Sequence, residues 1–203
     1  MKVLGHVQSV VERRNTIPVL SNVKFDAQSE SLSLNSTDMD IDIVETVPAA
    51  VETSGSTTAP AHTLFDIVRQ LPEGSQVELD NTEDSQNLVL NSGRSKFTLS
   101  CLPTEDFPVL SGDELPHNFE LPAKALRTLI DRTKFAISTE ETRYYLNGIY
   151  IHVSDVDGTT KLRAVATDGH RLAKVEVDCP QGAESMPGVI VPRKAVTELG
   201  KLA

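Results

Sequence analysis

The sequence predicts an α+β fold built from repeated units, each an amphipathic helix followed by an antiparallel three-strand meander. Three observations predict it: a segment that recurs without gaps, an apolar spacing that switches between helical and strand periods, and basic residues gathered on the helical stretches. The recurring segment reads Ala59-Pro60-Ala61-His62-Thr63-Leu64-Phe65-Asp66-Ile67, then Leu121-Pro122-Ala123-Lys124-Ala125-Leu126-Arg127-Thr128-Leu129, then Val191-Pro192-Arg193-Lys194-Ala195-Val196-Thr197-Glu198-Leu199. Each copy has Pro in second place, an apolar residue four positions on, and another three beyond that. Leu64, Ile67 and Val68, like Leu126, Leu129 and Ile130, follow the i, i+3, i+4 spacing of an amphipathic helix. Pro60, Pro122 and Pro192 stand at the starts, where a missing backbone N–H costs least. Val3-Leu4, Val7 and Val10-Val11 form a weaker fourth copy. Helices are therefore expected over 1–14, 61–71, 123–134 and 193–203.

Between the helices the apolar pattern has period two, the signature of strands. The first meander is Val23/Phe25, Leu32/Leu34 and Met39/Ile41/Ile43; the second is Val77/Leu79, Leu88/Leu90 and Phe97/Leu99/Cys101. The third is Ile149/Ile151/Val153, Leu162/Ala164/Ala166 and Ala173/Val175/Val177. Ser92-Gly93 and Asp157-Gly158 mark hairpin turns. A short strand, such as Asn118–Leu121 or Val189–Val191, is expected to lead into the next helix. Pro103, Pro108, Gly112 and Pro116 punctuate a polar stretch over 103–117 that suits a linker. Two domains follow, 1–116 and 117–203. The first helix has no strand before it and the last no meander after it, so the chain reads as a piece of a longer protein.

With 203 residues, 39% of them hydrophobic, the chain can build sizeable cores, but nine aromatics and no Trp leave those cores to Leu, Ile, Val and Ala. No apolar run approaches the ~18 residues of a membrane span. The N-terminus lacks an export signal, and Cys101 and Cys179 have no metal-ligand spacing, so both are expected as free thiols in a cytoplasmic protein.

The net charge of −10 argues at first against a nucleic-acid partner. Its distribution argues otherwise. Over the four expected helices eleven basic residues face four acidic ones, a net of +7, while the remainder carries −17. If the helices share one surface, that surface is basic inside an acidic protein and offers a sequence-independent, salt-sensitive wall to phosphates. Lys and Arg are also good helix formers on solvated faces, so charge alone leaves the partner open.

The residues themselves resemble a known family. Arg13-Arg14-Asn15-Thr16-Ile17-Pro18-Val19-Leu20-Ser21-Asn22, Asp66-Ile67-Val68-Arg69-Gln70-Leu71-Pro72, Gly93-Arg94-Ser95-Lys96-Phe97, and Leu102-Pro103 followed by Asp106-Phe107-Pro108 are similar to segments of the bacterial DNA polymerase III beta subunit, the DNA sliding clamp. Arg143-Tyr144-Tyr145-Leu146-Asn147-Gly148, Ala166-Thr167-Asp168-Gly169-His170-Arg171-Leu172 and Val191-Pro192-Arg193-Lys194 are the most specific matches. The resemblance covers nearly the whole chain, in order.

It implies the DNA-clamp fold: three similar domains per subunit, two subunits closing head to tail into a ring, sheets outside and helices on one concave face. On that reading the chain lacks the first strand of domain one, the latter part of domain two after its second helix, and the whole third domain, and should not close a ring alone. The resemblance implies a non-catalytic processivity factor without cofactor. Its partners would be double-stranded DNA, the polymerase III catalytic subunit, the clamp loader and other proteins carrying a clamp-binding motif. Matching motifs implies DNA contact at Arg14, Arg69, Tyr144 and Tyr145, and the charge pattern adds Lys124, Arg127, Arg193 and Lys194. Glu140 falls where a polar contact is expected, while Ser138 and Glu141 have capping-box spacing for a short helix. A peptide-binding groove is implied at Leu146, Thr167, Gly169, His170, Arg171 and Leu172, its other wall belonging to the third domain.

Enzymatic readings fare poorly. Asp168-Gly169-His170 offers one Asp and one His with no further ligand at metal spacing. Cys101 continues the apolar alternation of Phe97 and Leu99, and no glycine-rich phosphate loop is present.

Overall fold

A computed structural model describes residues 1–13, 16–81, 86–108 and 116–202. The chain forms two compact units, 1–111 and 112–203, which divide inside the expected linker.

In unit 1, α1 (Lys2–Val10) is followed by a 3-10 turn (Pro18–Ser21), β1 (Asn22–Gln28), β2 (Ser31–Thr37), β3 (Asp42–Pro48), β4 (Gly55–Pro60), α2 (Ala61–Val68), β5 (Glu78–Asp80), β6 (Asn87–Ser92) and β7 (Ser95–Ser100). The strands form one antiparallel sheet in the order β3-β2-β1-β4 and a second in the order β5-β6-β7. Both sheets and both helices feed one core: Val7, Val23, Leu34, Ala61, Leu64 and Leu90 are fully or almost fully buried in it. Phe65 of α2 lies against Gly5 of α1. Removing a side chain such as Leu64 from water contributes about 1.5–3 kcal/mol, and no aromatic cluster is needed.

Unit 2 contains α3 (Ala123–Asp131), a 3-10 segment (Glu141–Leu146), β8 (Gly148–Val156), β9 (Thr159–Thr167), β10 (Leu172–Asp178), β11 (Val189–Pro192) and α4 (Arg193–Leu202). Its sheet runs β10-β9-β8-β11, all antiparallel. Leu162, Ala164 and Ala166 alternate inward along β9 and meet Leu129 and Ile130 of α3 and Val196 of α4. Outward-facing positions carry cross-strand ion pairs, Arg163–Glu176 at 2.7 Å and Lys161–Asp178 at 2.6 Å.

Two of the three repeated prolines, Pro60 and Pro192, are strand-to-helix hinges. Pro60 ends β4 and Pro192 ends β11, with helix beginning at the next residue. Pro60 and Pro122 are extended N-cap residues, and the Pro122 carbonyl accepts from Ala125 N at 2.8 Å. A proline at the end of an edge strand gives up no ladder hydrogen bond and cannot extend the strand.

Several expectations need correction. Asn118–Leu121 is not a strand: the Asn118 carbonyl packs against Gly182, and the edge beside β8 is taken by β11. The strand before α2 is Gly55–Pro60. The first helix stops at Val10, with Val11 extended, and its last carbonyls are met from outside: Ser36 Oγ donates to Val7 O at 2.7 Å, and the His62 ring nitrogen lies 3.0 Å from Val11 O. Met39 and Ile41 belong to a turn rather than to β3, and Val77 and Cys101 lie just outside their strands. Helix ends are shorter throughout. The four helices carry Lys2, Lys124, Arg127, Arg193, Lys194 and Lys201 against Asp66, Asp131 and Glu198, a net of +3 rather than +7. The difference is Arg13, Arg14, Arg69, Arg132 and Lys134 less Glu12, all past the C-terminal residues of their helices in sequence, where positive charge favours the helix dipole.

Gly148 positions the end of unit 2 that carries the candidate site. A Cβ there would lie 2.3 Å from the Val191 carbonyl oxygen, so only glycine lets β8 and β11 approach this closely. All three tyrosines lie in unit 2, so tyrosine fluorescence follows its unfolding. Gly148→Ala is expected to destabilise that unit by about 2 kcal/mol or more, seen as a lower urea midpoint; an unchanged midpoint would contradict the close packing.

Candidate nucleic-acid and peptide interface

Two short segments of unit 2 bring most of the expected site residues together. The first is the 3-10 segment Glu141–Leu146, broken by a kink at Arg143 (φ −107°, ψ 56°). The kink turns Tyr144 and Tyr145 outward, 78% and 56% exposed, in edge-to-face contact with ring centroids 5.7 Å apart. Asn147 N donates to Tyr144 O at 3.0 Å, and Arg193 N donates to Asn147 O at 2.9 Å. The tyrosine pair is thus tied through one hydrogen-bonded run to the first residue of α4. The short helix does begin at Glu141, but its N-cap is Glu140 rather than Ser138, whose Oγ accepts from Glu140 N at 3.1 Å.

The second segment is the β9–β10 turn. Asp168 Oδ1 accepts from the backbone N–H groups of His170 and Arg171, each at 3.0 Å, and Asp168 Oδ2 accepts from Arg171 Nε at 2.9 Å. Thr167 Oγ1 donates to Arg171 O at 2.7 Å and accepts from Gly169 N at 3.2 Å. Gly169 takes φ +90°, the left-handed region that glycine occupies without penalty. The latch presents His170, Arg171 and Leu172 to solvent, Leu172 being 63% exposed, while Leu146 and Thr167 are half-buried. Arg171 reaches over the exposed ring of Phe135, 5.6 Å from its centroid.

Those backbone N–H donors, more than the Arg171 side chain, hold the Asp168 carboxyl below its ordinary value of 3.8. Its contribution is therefore complete above that value and is lost as pH falls through the lower folded value. Asp168 is thus a structural latch rather than an acid–base group.

Lys124 and Arg127 are exposed on α3, Arg193 is exposed and Lys194 half-buried on α4, and Arg69 is exposed just beyond α2. Arg127 pairs with Asp131 at 3.8 Å and Arg69 with Asp66 at 3.2 Å, so each guanidinium shares its charge with a carboxylate of its own helix. A cleft of about 450 Å³ between α3 and α4 is lined by Ile130, Ile137, Val196, Lys134, Arg193 and Lys201 among others. Arg14 lies outside the described residues. Among the described residues no group of three or more His, Cys, Asp or Glu could hold a metal ion, and no helix is long and apolar enough to cross a membrane.

Residues 1–111 match the DNA polymerase III beta subunit N-terminal domain, and residues 120–203 match the central domain of the same subunit. The chain belongs to the DNA polymerase III beta subunit family. The beta sliding clamp of Caulobacter vibrioides is 54% identical over 202 residues, covering 100% of this chain and 54% of the relative. That of Escherichia coli K12 is 38% identical over 204 residues, with the same coverage. A crystal structure of the Caulobacter crescentus clamp bound to PEG has a TM-score of 0.96 at 55% identity, covering 99% of this chain and 54% of that one. A Bartonella birtlesii clamp bound to griselimycin has a TM-score of 0.93 at 51% identity, covering 99% and 53%. The α+β clamp fold expected from the sequence is the one these relatives share. The chain spans about half the length of the curated relatives it matches.

Three features of the site are not legible in the sequence pattern alone. Arg143 stands inside a motif that assigns it no role, and Phe135 belongs to none of the matching segments. Unit 1 also carries the same latch: Asp38 Oδ1 accepts from Asp40 N at 3.1 Å and Ile41 N at 2.8 Å, and Thr37 Oγ1 donates to Ile41 O at 2.8 Å and accepts from Met39 N at 3.1 Å. Met39 stands in the place of Gly169 at φ +79°, at a cost of about 1 kcal/mol. The shared Thr-Asp pair, at 37–38 and 167–168, is the one signal that could have found it.

The side-chain carboxyl carbon of Asp168 should titrate with a midpoint below the ordinary value of 3.8. Asp168→Ala should displace the amide protons of His170 and Arg171 at every pH. A carboxyl-carbon midpoint above the ordinary carboxylate range would contradict the latch.

Proposed function

We propose that this chain supplies the first two domains, 1–116 and 117–203, of a non-catalytic DNA sliding clamp. The whole protein, as a ring of two three-domain subunits, would encircle double-stranded DNA in the cytoplasm. It would dock the polymerase III catalytic subunit, the clamp loader and other clamp-binding-motif proteins. Membership of the beta subunit family supports the replication role. A closed ring leaves duplex only by opening, so its grip can stay weak and mobile; base reading would hinder sliding.

The observation that carries the reading is the hydrogen-bonded run joining the exposed Tyr144–Tyr145 pair to Arg193. It holds the backbone of the tyrosine segment against the first residue of α4, so that exposed aromatic and cationic residues share one end of unit 2, a combination that suits contact with a phosphate backbone. Lys124, Arg127 and Lys194 add charge on the same two helices of unit 2, with Arg69 on unit 1 and Arg14 carried over from the motif match. Leu146, Thr167, Gly169, His170, Arg171 and Leu172 are proposed as one wall of the peptide groove. Leu146 and Leu172 offer apolar contact and His170 and Arg171 a polar edge.

Titrating a labelled duplex of about 20 base pairs with this chain tests the reading. Affinity should fall steeply between about 50 and 200 mM salt. Replacing Lys124, Arg127 and Arg193 together by Ala should reduce the log–log slope by about 2–3, near 0.9 for each phosphate that is no longer neutralised. A salt-independent affinity, or a slope unmoved by the triple variant, would overturn it.

A further inference from the structure

We infer that Arg143 is a positioning residue that couples the Tyr144–Tyr145 surface to the Asp168–Arg171 turn, so that a ligand on one alters affinity at the other. The inference rests on the reading of these two surfaces as DNA and peptide contacts, but its mechanical part stands on geometry alone. Arg143 occupies the kink that turns the tyrosines outward, and its Nε pairs with Glu140 Oε2 at 3.0 Å. The other end of the same guanidinium lies against the turn: a Cβ placed on Gly169 would be 3.1 Å from an Arg143 terminal nitrogen. One planar group therefore stands between the two segments, paired with a carboxylate on one side and, on the other, close enough to Gly169 that an added Cβ would meet it.

The turn side of this contact is stiff. The Asp168 and Thr167 hydrogen bonds fix the turn's backbone around a glycine at φ +90°. The tyrosine side is stiff too, since Ser138 N donates to Leu146 O at 3.0 Å and Asn147 N to Tyr144 O at 3.0 Å. A peptide that presses on Gly169 would displace the Arg143 guanidinium beside it. The pairing of Arg143 with Glu140 then passes the shift to the kink and the following rings. Coupling of this kind is reciprocal: DNA on the tyrosines would bias the turn by the same free energy.

Arg143→Ala alone would disturb its neighbours trivially, so the test perturbs the far end. The chain carries only three tyrosines, and incorporation of 3-fluorotyrosine gives three resonances, assigned by Tyr→Phe substitution. Gly169→Ala should move the Tyr144 and Tyr145 lines beyond their linewidths and leave the Tyr150 line in place. In an Arg143→Ala background the same Gly169→Ala change should leave all three where Arg143→Ala alone put them. Gly169→Asn supplies the same Cβ while tolerating positive φ, and replaces the alanine variant if that fails to fold. Tyr144 and Tyr145 lines that do not respond to the Gly169 change, or that respond equally with and without Arg143, overturn the coupling.

The affinity arm uses the labelled duplex. Gly169→Ala should change its dissociation constant about two- to tenfold when Arg143 is present and leave it unchanged when Arg143 is Ala. No duplex binding by the unmodified chain would refute the DNA reading, and the fluorine lines would still decide the mechanical link.

Discussion

Each helix of this chain has to close an apolar sheet face, and that constraint fixes where everything else can go. Leu64, Leu129, Ile130 and Val196 point into cores made almost wholly of aliphatic side chains, so on each helix charge is left to the surface that faces away from the core. The proline hinges make the geometry strict. With helix beginning at the residue after the strand ends, no loop remains to rotate α2 or α4 about its axis, and the buried stripe determines the exposed one. A basic stripe on a strongly acidic protein is thus a product of packing as much as of composition.

The same economy appears in the turns. A Thr-Asp pair folds back on its own backbone in both units, with near-identical hydrogen bonds, but the two copies present different chemistry: Met39 and Asp40 in one, Gly169 and His170 in the other. A shared latch with different residues at its tip lets a repeated fold carry distinct surfaces without redesigning its core. In unit 2 Gly169 of the latch also lies close to the Arg143 guanidinium, so the turn and the tyrosine segment are neighbours in structure though about 25 residues apart in sequence.

How much of this the sequence revealed follows from the range of the interactions. Helix starts were legible because proline is a local signal, and hairpins at Gly93 and Asp157-Gly158 because positive φ is a local demand. Helix ends were not: the apolar spacing runs on through Val10-Val11, and the charge balance of +7 includes Arg13, Arg69, Arg132 and Lys134, which lie past the last helical residues. Met39 and Ile41 keep the alternation of a strand while forming a turn, because an aspartate latch needs neither Gly nor Pro. Asn118–Leu121 has strand-like residues but no free strand edge. The candidate site divides the same way. Motifs point to Tyr144, Tyr145 and the 167–172 turn, whereas the reach of Arg143 to Gly169 is a tertiary contact that no spacing encodes.

If the basic stripe is what meets DNA, then the helix-side surface of unit 2 is the contact and its pleated surface is not. Amide chemical shifts mapped during titration with a short duplex test this most directly. Perturbations are predicted to be confined to α3, the Tyr144–Tyr145 segment and the start of α4, with the outward positions of β9 and β10 near Arg163 and Glu176 unmoved. Perturbations centred on those strands, with the helices silent, would contradict it.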